Sequence, residues 1–261
     1  MEVHVAFLPA EAGDVRRRVA VVVDVLRATT SILTLFEHGC TEVIAAPSVA
    51  AARRYAEESA EMRVASRRES GRRGGDDSRD RVRTAGEEGG VAPEGFDFGN
   101  SPAAFARADV AGRRIVMATT NGTRALHAVR GAAAVFAGCL RNRMAAARAA
   151  ADAALRGGFD LAVVCAGREG RFSLDDAYAA GGIVDSVAAY LVGRVAYAST
   201  DAVLAARSLY HTWPDPLEVF RQTAGGRNVV AIGLEEDLRY CAVQDASDVV
   251  PRVGAGLTLL A

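Results

Sequence analysis

The chain has 261 residues, half of them hydrophobic, and a formal net charge of -1. That is enough apolar material for a full core in one large domain or two small lobes. The near-neutral balance argues against a polyanion-binding surface and so against nucleic acid as a partner. No window approaches the ~18 continuous apolar residues of a membrane span, and the N-terminus lacks the basic-then-apolar order of a signal peptide. The expectation is a cytoplasmic protein with no membrane partner.

Cys40, Cys139, Cys165 and Cys241 lie far apart without a CxxC pair, which speaks against structural zinc and a disulfide framework. All 31 basic residues are arginine. The absence of lysine rules out a Schiff-base mechanism, a Walker-type phosphate loop and any phosphatase that needs a catalytic lysine. An anion would have to be held by arginines and backbone amides.

In chain order, Met1 to Leu8 alternates as a strand, Glu11 to Arg18 is a polar connection, and Val19 to Val25 reads as a strand buried on both faces. The composition then changes abruptly at Asp24-Val25-Leu26-Arg27-Ala28-Thr29-Thr30-Ser31, after which apolar residues return at helical spacing. A strand end, polar turn and helix start is where open α/β sheets hold ligands. Arg27 and the hydroxyls of Thr29, Thr30 and Ser31, with the first amides of the helix, suit an oxyanion. The plainer alternative makes Thr29 or Thr30 an N-cap and Asp24 a loop carboxylate. Thr41 to Ala46 is a short strand, and Ser48 caps an amphipathic helix through about Ala60. Successive strand–helix units predict a three-layer α/β/α fold with a mostly parallel sheet.

Residues 67–83 are rich in arginine, aspartate, glycine and serine and predict a mobile charged insertion. Dense glycines follow in Thr84 to Gly90 and Gly95 to Gly99, and Asn100-Ser101-Pro102 opens a helix with Ser101 as N-cap and Pro102 first. Arg114 to Ala118 is a strand, Thr119-Thr120-Asn121-Gly122-Thr123-Arg124 a polar turn, and Ala125 to Arg130 helical. Ala-Thr-Thr with a nearby arginine thus stands at two strand ends, which could converge on one anion; a simple Asn121-Gly122 turn is the alternative. Ala134 to Ala137 and Phe159 to Cys165 are further strands around an alanine-rich helix over Arg143 to Leu155. Ser173 caps the next helix, with Asp175 and Asp176 in its first turn. Those carboxylates suit the helix dipole, or a hard cation shared with Asp24.

Asp24-Val25-Leu26-Arg27-Ala28-Thr29-Thr30, Gly95-Phe96-Asp97-Phe98-Gly99-Asn100-Ser101-Pro102, Thr119 to Arg124, and Cys165-Ala166-Gly167 with Phe172-Ser173-Leu174-Asp175-Asp176 occur in that order. Together they resemble the 2-phosphosulfolactate phosphatase family over nearly the whole chain. Two departures from the family pattern are Glu88 in place of arginine and Asp175 in place of glutamate. The resemblance implies magnesium-dependent hydrolysis of 2-phosphosulfolactate to sulfolactate and phosphate, a step toward coenzyme M. It implies a small phosphorylated sulfonate as partner and leaves a homo-oligomer open.

On that basis Asp24, Arg27, Arg124 and Asp176 are the expected catalytic residues, and Asp24, Glu87 and Asp176 the expected Mg2+ ligands. Thr29, Thr30, Asn100, Ser101, Thr119, Thr120, Asn121, Gly122 and Thr123 are the expected substrate contacts. Two rivals are a thiolate phosphatase using Cys165 and Arg171, which fit C-x5-R after a buried strand, and a non-catalytic binder of small anionic acids. A haloacid-dehalogenase reading of Asp24 fails on Leu26, where a second Asp would be needed, and on the missing lysine.

Overall fold

A computed structural model of the chain describes residues 1–70 and 81–261. Its strands are β1 (Glu2–Ala6), β2 (Arg18–Val23), β3 (Glu42–Ala45), β4 (Arg83–Gly86), β5 (Arg114–Ala118), β6 (Ala134–Gly138), β7 (Asp160–Cys165), β8 (Ala198–Ser199), β9 (Arg252–Val253) and β10 (Thr258–Leu260). The helices are α1 (Ala28–Glu37), α2 (Val49–Ser70), α3 (Pro102–Phe105), α4 (Gly122–Ala128), α5 (Arg143–Gly157), α6 (Leu174–Leu191), α7 (Asp201–Thr212), α8 (Pro216–Gln222), α9 (Ala224–Ala231) and α10 (Glu235–Ala242).

The strands form one sheet in the order β4-β5-β3-β10-β9-β6-β2-β7-β1-β8. The blocks β4-β5-β3 and β6-β2-β7-β1-β8 are parallel throughout. Between them the C-terminal hairpin β9–β10 pairs antiparallel on both sides. The architecture is the expected α/β/α fold with a mostly parallel sheet.

The two-residue period of a strand sorts side chains onto different cores. Along β2, Val19, Val21 and Val23 face α5 and α6, whereas Ala20 and Val22 join a second core. That second core also takes Ile115 and Met117 of β5, Ala125 and Leu126 of α4, and Ile32 and Leu35 of α1. It therefore binds the two parallel blocks together and brings the ends of β2 and β5 to one place. The other face of β5, Val116 and Ala118, packs with Ala52 of α2 in a third core. Both faces of these strands are covered, which is why they read as unbroken apolar runs.

Several elements depart from the sequence-based boundaries. Pro9–Ala12 forms a 3-10 turn inside what reads as a plain connection. α2 runs on past Ala60 to Ser70, and β4 begins at Arg83, so the ends of the expected 67–83 insertion belong to regular elements. The middle of that insertion, 71–80, lies outside the described residues. Among the described residues no helix is long and apolar enough to cross a membrane.

Candidate active site

The turn after β2 is held by its own side chains. The Thr29 hydroxyl donates to the Asp24 carbonyl (2.9 Å) and accepts from the Asp24 amide (3.1 Å). The Thr30 hydroxyl donates to the Val25 carbonyl at 2.9 Å. The Asp24 carboxylate caps α1 by accepting from the Ala28 amide through Oδ1 (3.3 Å), and the Thr29 amide donates to the Asp24 carbonyl (3.0 Å). Thr29, Thr30 and Ser31 are all buried. The Thr29 and Thr30 hydroxyls thus close the turn locally, and neither residue lines the cavity described below, whereas the buried Ser31 hydroxyl has no partner among the described residues.

The turn after β5 behaves alike. The Thr123 amide donates to the Thr119 hydroxyl (3.0 Å), and the Thr123 hydroxyl donates to the Thr119 carbonyl (3.0 Å) while accepting from the Thr119 amide (3.2 Å). Thr119 and Thr123 thus start α4 rather than hold substrate. Gly122 permits the close approach of this turn to the first one, since a Cβ there would stand 2.7 Å from Asp24 Oδ2. Glu87, just past β4, accepts from the Thr120 amide through Oε1 (2.6 Å) and from the Gly90 amide through Oε2 (2.8 Å).

These strand ends enclose a cavity of about 120 Å3. Asp24, Arg27, Glu87, Asn100, Thr120 and Asn121 line it, all of them expected from the sequence. Leu26, Gly89 and Gly90 line it too, and Arg168, Glu169, Gly225, Asn228 and Val229, which sequence reasoning missed, complete it. Arg168 and Glu169 sit in Gly167-Arg168-Glu169-Gly170-Arg171, a charged glycine turn between a buried strand and a capped helix, which was the available signal. The residues from α9 carried none.

Arg27 is buried, with Nη1 on Asp237 Oδ2 at 2.9 Å and Nη2 on the Gly90 carbonyl at 2.7 Å. Asp237, on α10, also accepts from the Ser101 hydroxyl (2.7 Å) and the Ala103 amide (3.1 Å). Ser101 caps α3 as expected, accepting from the Ala104 amide, and its hydroxyl is directed to Asp237 rather than into the cavity. Asn100 is 5% exposed, and its Oδ1 has no hydrogen-bond partner although it lines the cavity.

Two expected catalytic residues stand elsewhere. Arg124 is exposed on the first turn of α4 and does not line the cavity. Asp176 is buried, accepting from the Val25 amide (2.9 Å) through Oδ1 and from the Gly167 amide (3.0 Å) through Oδ2. It ties the ends of β2 and β7 together. Asp175 accepts a hydrogen bond from the Ser173 hydroxyl and is likewise buried outside the cavity lining. Glu88 is exposed on a hairpin bridged to Val91 and does not line the cavity.

The electrostatics set the carboxylates apart. Burial first, with Glu87 and Asp175 adding to it and the Ala28 amide and Arg27 opposing, raises the Asp24 carboxyl to about 7. Asp175 and Asp176 are also raised, chiefly by burial. Cys165 is fully buried and its thiol is raised well above its ordinary value, first by burial and then by Asp176 and Asp175. A thiolate nucleophile needs the opposite shift, and Arg171 is exposed outside the cavity lining. C-x5-R is a coincidence of spacing.

Among the described residues no group of three or more His, Cys, Asp or Glu side chains gathers as a metal site. Of the expected trio, Asp24 and Glu87 line the cavity and Asp176 does not. Among the described residues Asp24 Oδ2 has no hydrogen-bond partner. A pair of carboxylates short of positive charge fits Mg2+, which commonly takes one or two protein carboxylates together with water and substrate phosphate.

The family model described as 2-phosphosulpholactate phosphatase matches residues 7–256. A Thermus thermophilus protein named "Probable 2-phosphosulfolactate phosphatase" is 37% identical over 244 residues, 92% of this chain and 91% of the relative. Relatives of the same name from Deinococcus radiodurans and Gloeobacter violaceus are 37% and 34% identical, over 91% and 100% of this chain and 88% and 98% of their own lengths. With strand-end motifs, cavity and near-complete coverage in agreement, the chain belongs to the 2-phosphosulpholactate phosphatase family.

Proposed function

We propose that the chain hydrolyses 2-phosphosulfolactate to sulfolactate and phosphate with Mg2+ as cofactor, as a cytoplasmic step toward coenzyme M. The observation that carries this reading is the pair Asp24 and Glu87 in one cavity with the buried Arg27, in a chain whose relatives bear that enzyme's name. Phosphoryl transfer is mainly positioning and charge neutralisation. Asp24 and Glu87 would hold the cation, which when bound neutralises phosphate charge and favours attack by water.

The chain's own residues do the positioning. Glu87 draws the Thr120 and Gly90 amides together and so fixes the loops after β4 and β5 against each other. Arg27 is held by Asp237 and the Gly90 carbonyl, which leaves it a fixed guanidinium in the cavity wall for a phosphate oxygen. Asn100 brings an amide side chain to the same wall, its buried Oδ1 without a partner among the described residues.

Phosphate release from 2-phosphosulfolactate, with and without chelation, tests the proposal. Release should stop on exhaustive chelation and return with Mg2+. Undiminished release after chelation would remove the cation from the account, and no release by the folded protein would remove the activity.

A further inference from the structure

Arg168 stands on a hairpin that the rest of the site holds in place. The Arg168 amide donates to the Arg171 carbonyl and the Arg171 amide to the Arg168 carbonyl, both at 2.9 Å. Between them Glu169 and Gly170 have φ of 52° and 74°, the left-handed pair that closes a tight hairpin. The base of the hairpin is fixed by the Gly167 amide on Asp176, at 3.0 Å. Its tip is fixed across the cavity by the Glu169 amide on Asn121 Oδ1, at 3.1 Å. The backbone under Arg168 is therefore anchored at both ends.

The Arg168 guanidinium itself is not spent. Its one ion-pair approach among the described residues is 4.0 Å to Glu169, and its side chain is 34% exposed while lining the cavity. Arg27, the other lining arginine, is 3% exposed and already paired with Asp237. Three carboxylates line the cavity, Asp24, Glu87 and Glu169. Among the described residues that line the cavity, Arg168 is thus the arginine without a close carboxylate partner, and it is available to one of the three anionic groups of the substrate. Asn228 also lines the cavity, with its Nδ2 close to Gly90.

On the reading proposed above, we infer that Arg168 is the specificity-determining residue that receives the substrate's sulfonate. The carboxylate pair Asp24 and Glu87 marks the phosphate end of the cavity, because a hard cation and a phosphate belong together. A sulfonate is a weakly basic anion with three acceptor oxygens. It is a poor ligand for such a cation and a good partner for the forked donors of a guanidinium. The site thereby separates the reacting anion from the recognised one.

The test compares wild type, Arg168→Ala and Arg168→Lys on 2-phosphosulfolactate and on 2-phospholactate, which lacks the sulfonate. Circular dichroism and thermal melts confirm that the variants are folded. Arg168→Ala should raise KM for 2-phosphosulfolactate about ten-fold or more with kcat nearly kept, as for a lost charge-assisted contact. Arg168→Lys should recover part of the loss, and neither variant should change KM for 2-phospholactate. Equal effects on both substrates, or none on either, with an active wild type would overturn the assignment of Arg168 alone. A folded wild type that releases no phosphate from 2-phosphosulfolactate would overturn the proposed function and this inference with it.

Discussion

Asp237 joins three segments that meet at the cavity, and removing its charge should be costly. It is 1% exposed, with Oδ2 on Arg27 at 2.9 Å and Oδ1 accepting from Ser101 and Ala103 at 2.7 and 3.1 Å. Asp237→Asn keeps the shape and can keep the Ser101 and Ala103 bonds through its carbonyl. It leaves the Arg27 guanidinium buried with only the Gly90 carbonyl as an acceptor. Breaking one side of a buried ion pair costs about 3–5 kcal/mol, and the conserved shape places this variant near about 3 kcal/mol. At about 2–4 °C per kcal/mol for a chain approaching this size, Tm should fall by roughly 6–12 °C. Urea denaturation with unchanged m measures the loss directly. In the same assay, Arg27→Met combined with Asp237→Asn should regain part of the stability, since the amide oxygen keeps the Ser101 and Ala103 bonds and no unpaired guanidinium stays buried; turnover should stay lost. A cost below about 1 kcal/mol for Asp237→Asn would refute the view that this pair organises the site.

Arg124→Lys and Arg171→Lys should leave kcat/KM unchanged, because both side chains are exposed and outside the cavity lining; a steady-state loss in either would show that substrate reaches beyond the cavity. Cys165→Ser should keep its activity while losing about 1–3 kcal/mol in chemical denaturation, the cost of a buried hydroxyl without a partner. Asp97 governs part of the acid stability. Burial pulls its carboxyl up, but hydrogen bonds from Thr84 and Arg83 outweigh it and hold it below its ordinary value of 3.8. A depressed carboxyl contributes stability above its unfolded value and loses it as pH falls through the folded one, so unfolding followed from about pH 5 to pH 2 should be less steep in Asp97→Asn.

The parts of the fold that were legible in the sequence are those whose physics is local. β2, β5 and β7 are covered on both faces and so read as apolar runs. Ser48 and Ser101 cap helices through their own hydroxyls. The hairpin β9–β10 was not legible, because strands of two and three residues carry no periodicity. Nor was the pairing of Arg27 with Asp237, 210 residues away in the chain. The threonines at the two strand ends misled for a physical reason. A hydroxyl that could face an anion is indistinguishable, in sequence, from one that closes its own turn, and Thr29, Thr30, Thr119 and Thr123 do the latter. Asp176 misled similarly, since a buried carboxylate can satisfy backbone amides as well as a cation.

The central claim is that chemistry occurs at Asp24, and phosphate release from 2-phosphosulfolactate by wild type and Asp24→Asn, side by side, tests it most directly. The asparagine can still accept from the Ala28 amide and removes a carboxylate that burial disfavours, so its Tm should be equal to or above that of wild type. Turnover should nonetheless fall about 100-fold or more, the scale of losing a group that acts on the reacting phosphate. An Asp24→Asn protein that melts like wild type and releases phosphate as fast would contradict the account.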